Sequence, residues 1–128
     1  MTFTIRPLPP SLNVMLNAHW SRRHRIKKHL YEELWAQQMQ NRYPLPQPWP
    51  QPMTIDAVRH HVPQGKLDGF DNYRGSLKWP IDALVKLGLI WDDSDEWLIA
   101  GDIRQEPVKT RAEQRLIITL TGSGSTTA

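Results

Sequence analysis

Five prolines alternate with other residues at Pro44, Pro46, Pro48, Pro50 and Pro52. Proline has no backbone N–H and a fixed φ, so this stretch belongs neither inside a helix nor in a central strand. It reads as a stiff extended connector, a strap from the helix before it to the strand after it. A ligand for a proline-reading domain is the other meaning such a run can carry.

The segments flanking the strap carry periodic patterns. Thr2–Pro7 alternates like a short strand ending at proline. Pro9, Pro10, Ser11 and Asn13 suggest a turn. Ser21 is a candidate N-cap for a helix reaching about Asn41, with Ile26, Leu30, Leu34 and Met39 as its buried stripe. Beyond the strap, Met53–Val62 reads as a strand. His60 and His61 are neighbours there, face opposite sides and are poorly placed to share a metal. A loop with Gly65 and Gly69 leads to a second helix over Asp71–Leu87, stopped by Gly88 and kinked or divided by Pro80. Its apolar face is Tyr73, Leu77, Ile81 and Leu84. Strands over Trp97–Gln105 and Gln114–Thr121 follow, joined by a turn near Pro107–Arg111, and residues 122–128 form a small polar flexible tail. The order β-α-β-α-β-β predicts one α+β domain over 1–121, a mixed sheet with helices packed on it and the connector 44–52 inside it.

The chain has 128 residues and no cysteine, which excludes disulfides, a Cys-ligated zinc site and thiol chemistry. No apolar stretch approaches the ~20 residues of a membrane span, and the amino end lacks a signal-peptide core. The expectation is a cytoplasmic protein. The net charge of +3 is small, but it is unevenly spread. Residues 1–42 hold seven basic side chains against two acidic ones, and residues 66–96 hold four against seven. Arg22, Arg23, Arg25, Lys27 and Lys28 crowd the start of the first helix, where cations oppose the helix dipole and point to an anionic partner. A protein that cuts nucleic acid needs both features: cations to hold phosphate and carboxylates to hold a metal.

The acidic centre runs through Asp68, Asp71, Asp82, Asp92 and Asp93. On one continuous helix at ~100° per residue, Asp71, Lys78 and Asp82 fall on one stripe. Carboxylate oxygens suit Mg²⁺, and one or two with water and phosphate suffice. Each residue also has a plain structural meaning. Asp71-Asn72 can cap a helix, Lys78 and Asp82 can form a surface ion pair, and Asp92-Asp93-Ser94-Asp95 can be a solvated turn.

Asp71-Asn72, Lys78, Asp82-Ala83-Leu84, Gly88-Leu89-Ile90 and Asp92-Asp93-Ser94, preceded by Leu8-Pro9-Pro10-Ser11-Leu12-Asn13, resemble the RusA family of Holliday junction resolvases. The resemblance covers most of residues 5–105. It implies a Mg²⁺-dependent homodimeric endonuclease resolving four-way DNA junctions in recombination and repair, often carried by prophages. Mn²⁺ is a possible substitute, and neither a small-molecule cofactor nor a membrane is involved. By position it assigns Asp68, Asp71 and Asp93 as metal-binding catalytic carboxylates and Lys78 as the essential lysine, with Asp82 and Asp92 in support. The family commonly has one residue between its first two aspartates, where this chain has Gly69 and Phe70. The stretch from Asp71 to Lys78 is longer by nearly one helical turn. Arg22, Arg23, Arg25, Lys27 and Lys28 would contact phosphates, holding the protein to the nucleoid through DNA. Trp20, Phe70 and Tyr73 are candidate wedges to stack on unpaired bases. The alternatives are a non-catalytic nucleic-acid-binding protein on the same scaffold, or an interaction module that uses the proline strap.

Overall fold

The computed structural model describes residues 1–45, 51–67 and 70–122, and for Phe70 and Asp71 only the backbone. Most of the strap therefore lies outside the described residues, as does the tail beyond Gly122.

Four strands, β1 (Thr2–Ile5), β2 (Met53–His61), β3 (Leu98–Pro107) and β4 (Arg115–Gly122), form one mixed sheet in the order β1-β4-β2-β3. β4 runs antiparallel to both neighbours, and β2 and β3 are parallel. The helices are α1 (Leu12–Asn17), α2 (Trp20–Asn41), α3 (Phe70–Ser76) and α4 (Lys78–Lys86). Among the described residues the protein is thus α+β with a single sheet, as the patterning predicts.

Strand alternation sorts the sheet into two faces. Phe3 and Ile5, Met53, Ile55 and Ala57, and Leu116, Ile118 and Leu120 are all buried. They meet Leu30 and Leu34 of α2, and Tyr73, Leu77, Trp79, Ala83 and Leu84 from the α3–α4 segment, in one core. The intervening residues Thr54, Asp56, Val58 and His60 are only partly covered. Burial lowers the pKa of His60, and nearby Arg115 adds to the effect. Its neighbour His61 is buried on the core face and bonds through Nδ1 to the Val62 carbonyl, 2.8 Å away. The pair does point to opposite sides.

Several boundaries differ from the patterning. α1 stands where a turn is predicted. Ser11 caps it by accepting the Val14 N–H at 3.3 Å, and Met15 anchors it in the core. Six residues are too few to display a helical period. α2 is capped by His19 rather than Ser21: the Ser21 N–H donates to His19 Nδ1 at 3.2 Å. Met39 is 60% exposed and leaves the predicted stripe. Polar side chains of α2 instead meet the outer edge of β1. The Thr4 N–H donates to Gln37 Oε1 at 2.8 Å, Gln37 Nε2 donates back to the Thr4 carbonyl at 2.5 Å, and the Arg6 N–H donates to Glu33 Oε1 at 3.2 Å. The Tyr43 hydroxyl serves both backbone groups of Thr2. Four helix residues advance about 6 Å and two strand residues advance about 6.6 Å. Side chains four apart on α2 therefore match backbone groups two apart on β1. β4 continues to Gly122, one residue into the expected tail.

The predicted helix over Asp71–Leu87 is divided, and the break falls before Pro80 rather than at it. Pro80 cannot donate to the Ser76 carbonyl, and its ring crowds that group. The chain resets at Leu77, and Pro80 falls in the first turn of α4, where a missing N–H is harmless. Gly88 ends the segment with φ +79°, in the left-handed region favourable to glycine.

A bulge between Ile55 and Ala57 shifts the register of β3, and Asp56 Oδ1 accepts the Asp102 N–H at 2.6 Å. A Cβ on Gly101 would lie 2.2 Å from that carboxylate oxygen. Gly101→Ala is therefore expected to turn Asp56 away and break its bond. The expected loss is about 1–2 kcal/mol in urea unfolding. A variant as stable as wild type would show that the bulge needs neither the glycine nor the bond.

Candidate active-site groove

A groove of about 840 Å³ opens between α2 and α4. His24, Lys27, Lys28 and Tyr31 form its α2 wall. Their spacings of three and four place them on one helix face. Trp79, Asp82, Ala83, Val85 and Lys86 form the α4 wall, and Asp92 and Asp93 close it from the turn after α4. The basic and acidic segments, far apart in sequence, thus meet across one opening. Both aspartates are exposed, and Asp82 is partly so.

Lys27 Nζ stands 5.0 Å from the centre of the Trp79 ring, within cation–π range. Trp79 itself is 6% exposed, and its Nε1–H is buried with no hydrogen-bond partner among the described residues. Lys78 does not line the groove. Its Nζ is 3.8 Å from Asp82 Oδ2, an exposed pair one helical turn apart. The stripe predicted to carry Asp71, Lys78 and Asp82 on one helix is corrected by the break at Leu77: Asp71 belongs to α3, and the other two belong to α4.

Asp68 lies outside the described residues, as does the side chain of Asp71. The segment leading to them is tightly held. The Leu67 N–H donates to Gln105 Oε1 at 3.0 Å, and Gln105 Nε2 donates to the Leu67 carbonyl at 3.2 Å. Arg59 Nη1 donates to the Gly65 carbonyl at 2.7 Å and to Gln105 Oε1 at 3.3 Å. Arg59 is buried, and desolvation lowers its pKa. Among the described residues no three His, Cys, Asp or Glu side chains are grouped to hold a metal ion.

The remaining cations divide between two places. Arg22 and Arg25 line a second recess of about 500 Å³ with Pro7, Pro10 and His29, whereas Arg23 lines neither opening. Of the candidate wedges, Trp20 is 68% exposed. Tyr73 is ruled out: it is buried, its hydroxyl donates to the Ala57 carbonyl at 3.3 Å, and burial pushes its pKa up to about 12. The side chain of Phe70 lies outside the described residues.

His24, Tyr31, Trp79 and Lys86 were not expected in the site. The first two could have been found by extending the helical face of Lys27 and Lys28 by one turn each way. Trp79 gives no such signal, because a tryptophan beside a proline reads as core. No helix among the described residues is long and apolar enough to cross a membrane. No protein-family model matches the chain, and no curated protein matches it.

Proposed function

We propose that this chain is a RusA-like, Mg²⁺-dependent endodeoxyribonuclease that acts as a homodimer on four-way DNA junctions. The observation that carries this is the single groove in which Lys27 and Lys28 face Asp82, Asp92 and Asp93. The lysines suit the phosphate backbone. The donor set fits Mg²⁺, since hard carboxylate oxygens are what the ion takes and one or two protein carboxylates suffice. Asp93, Asp71 and Asp68 would hold it, with Asp92 and Asp82 in support. Bound there, the ion supplies a Lewis acid and lowers the pKa of its water. Mn²⁺, also an oxygen-seeking divalent ion, would substitute.

Lys78 stands just outside the groove lining but within 3.8 Å of groove-lining Asp82, and in this scheme it supports charge on the reacting phosphate by reaching in and exchanging Asp82 for a phosphate oxygen. The exchange is cheap, because an exposed ion pair is worth at most about 1 kcal/mol. A C₂ dimer presents two symmetry-related sites, which suits a junction that must be cut on two strands. The Arg59–Gln105 grip holds residues 65–67, and metal ligands are best supported where the chain beside them is held by such hydrogen bonds.

A labelled synthetic four-way junction, run against linear duplex of the same sequence with Mg²⁺ or EDTA, tests the proposal. Wild type is expected to make paired symmetric cuts in the junction only, lost in EDTA and in Asp71→Asn. Tight junction binding without cutting by wild type would overturn it in favour of a non-catalytic DNA-binding protein.

A further inference from the structure

We infer that the α2–α4 groove holds one unpaired nucleotide of the bound strand, with its phosphate on the α2 lysines and its base against Tyr31 and Trp79. This rests on the nucleic-acid reading above but concerns a separate property, the recognition of an unstacked base.

Four observations point to it. The volume of about 840 Å³ falls within the ~300–1,000 Å³ usual for sites that enclose a small organic ligand. A bare phosphate needs cations alone, yet aromatic Tyr31 and Trp79 and apolar Ala83 also line this groove. The charges are unequal between the walls: α2 offers Lys27 and Lys28 and no carboxylate, while Asp82, Asp92 and Asp93 outnumber Lys86 on the opposite side. Lys27 and Lys28 attract phosphate, while the carboxylates opposite repel it unless a metal intervenes. A strand entering the groove is therefore oriented, with its backbone toward α2. Finally, the Trp79 Nε1–H lacks a partner among the described residues, and an orphaned buried donor costs about 1–3 kcal/mol. Lys27 is an exposed, flexible side chain standing over that indole. A phosphate that draws Lys27 toward itself bares the groove-facing edge of a ring that is otherwise packed in the core, with Lys78 Nζ still 5.8 Å from its centre, and a base edge that reaches the Nε1–H supplies the acceptor it lacks. Base–aromatic contact of this kind tolerates any sequence, because every base has a π-face.

Binding measured in EDTA, where nothing is cut, tests this on the full chain. The probes are a short labelled single-stranded oligonucleotide and an abasic strand of equal length and charge, read by fluorescence anisotropy. Wild type is expected to bind the base-bearing strand on the order of 10-fold more tightly. Tyr31→Ala, at a partly exposed position, should erase most of that preference, and Trp79→Phe, which keeps a ring but removes the N–H, should reduce it, both with abasic affinity unchanged. Lys27→Ala should weaken both strands alike. Equal affinity of wild type for the two strands overturns the inference. So does a base preference that survives both aromatic substitutions, since the base would then sit elsewhere. Junction cleavage without base preference would remove the nucleotide site and leave the nuclease. Base preference without cleavage would do the reverse.

Discussion

Asp93→Asn is expected to lower the junction cleavage rate by at least about 100-fold without weakening junction binding in EDTA. Metal charge stabilisation is worth several kcal/mol, and each ~1.4 kcal/mol is a factor of ten in rate. Asp93 is exposed and lines the groove, so the substitution removes no buried contact and should leave the thermal midpoint near that of wild type. Binding should hold or rise slightly, because the lost charge has the same sign as phosphate. Single-turnover cleavage and anisotropy on one protein preparation separate the two effects. Full cleavage activity in Asp93→Asn would remove Asp93 from the metal site, and with it the chief reason for reading this groove as catalytic.

Leu84→Ala should cost about 2–5 kcal/mol in chemical unfolding, the range for a fully buried leucine that leaves a cavity. Leu84 has no exposed surface, lies in the core beside α2 and the sheet, and its carbonyl receives the Leu89 and Ile90 N–H groups that end α4. Neighbours on three sides limit how far the site can collapse. Trp35→Ala is the matched control. Trp35 is 51% exposed on α2 and its truncation leaves no enclosed cavity, so the change should cost clearly less than Leu84→Ala, about 1 kcal/mol or below. Equal destabilisation by both would mean that the outer face of α2 is covered in solution.

Strands, the long helix and the stop at Gly88 were legible because period and terminators agreed over long windows. α1 was illegible at six residues. The division at Leu77 was half legible: Pro80 announces a break, but the crowded carbonyl is that of Ser76, so the break lies upstream of its cause. The stripe of Asp71, Lys78 and Asp82 failed for that reason, since it assumed a helix that does not continue. The meeting of Lys27 and Lys28 with Asp92 and Asp93 could not be read from either segment alone. It depends on how α2 lies against α4 on the sheet, a tertiary fact with no local signature. Tyr73 carries two readings in the sequence, a place on the apolar face of its helix and a candidate wedge, and burial of the ring selects the first.

The treatment of β1 has a consequence for how copies of this chain can join. Gln37, Glu33 and Tyr43 occupy the backbone groups along its outer edge, as a neighbouring strand would. β3, at the far side, pairs with β2 alone among the described residues. Among the described residues the sheet thus has one sealed border and one open border. Growth by strand addition needs two open borders per copy, one to give and one to receive. With one, two molecules meeting at β3 use up everything either can offer, and the series stops at a pair.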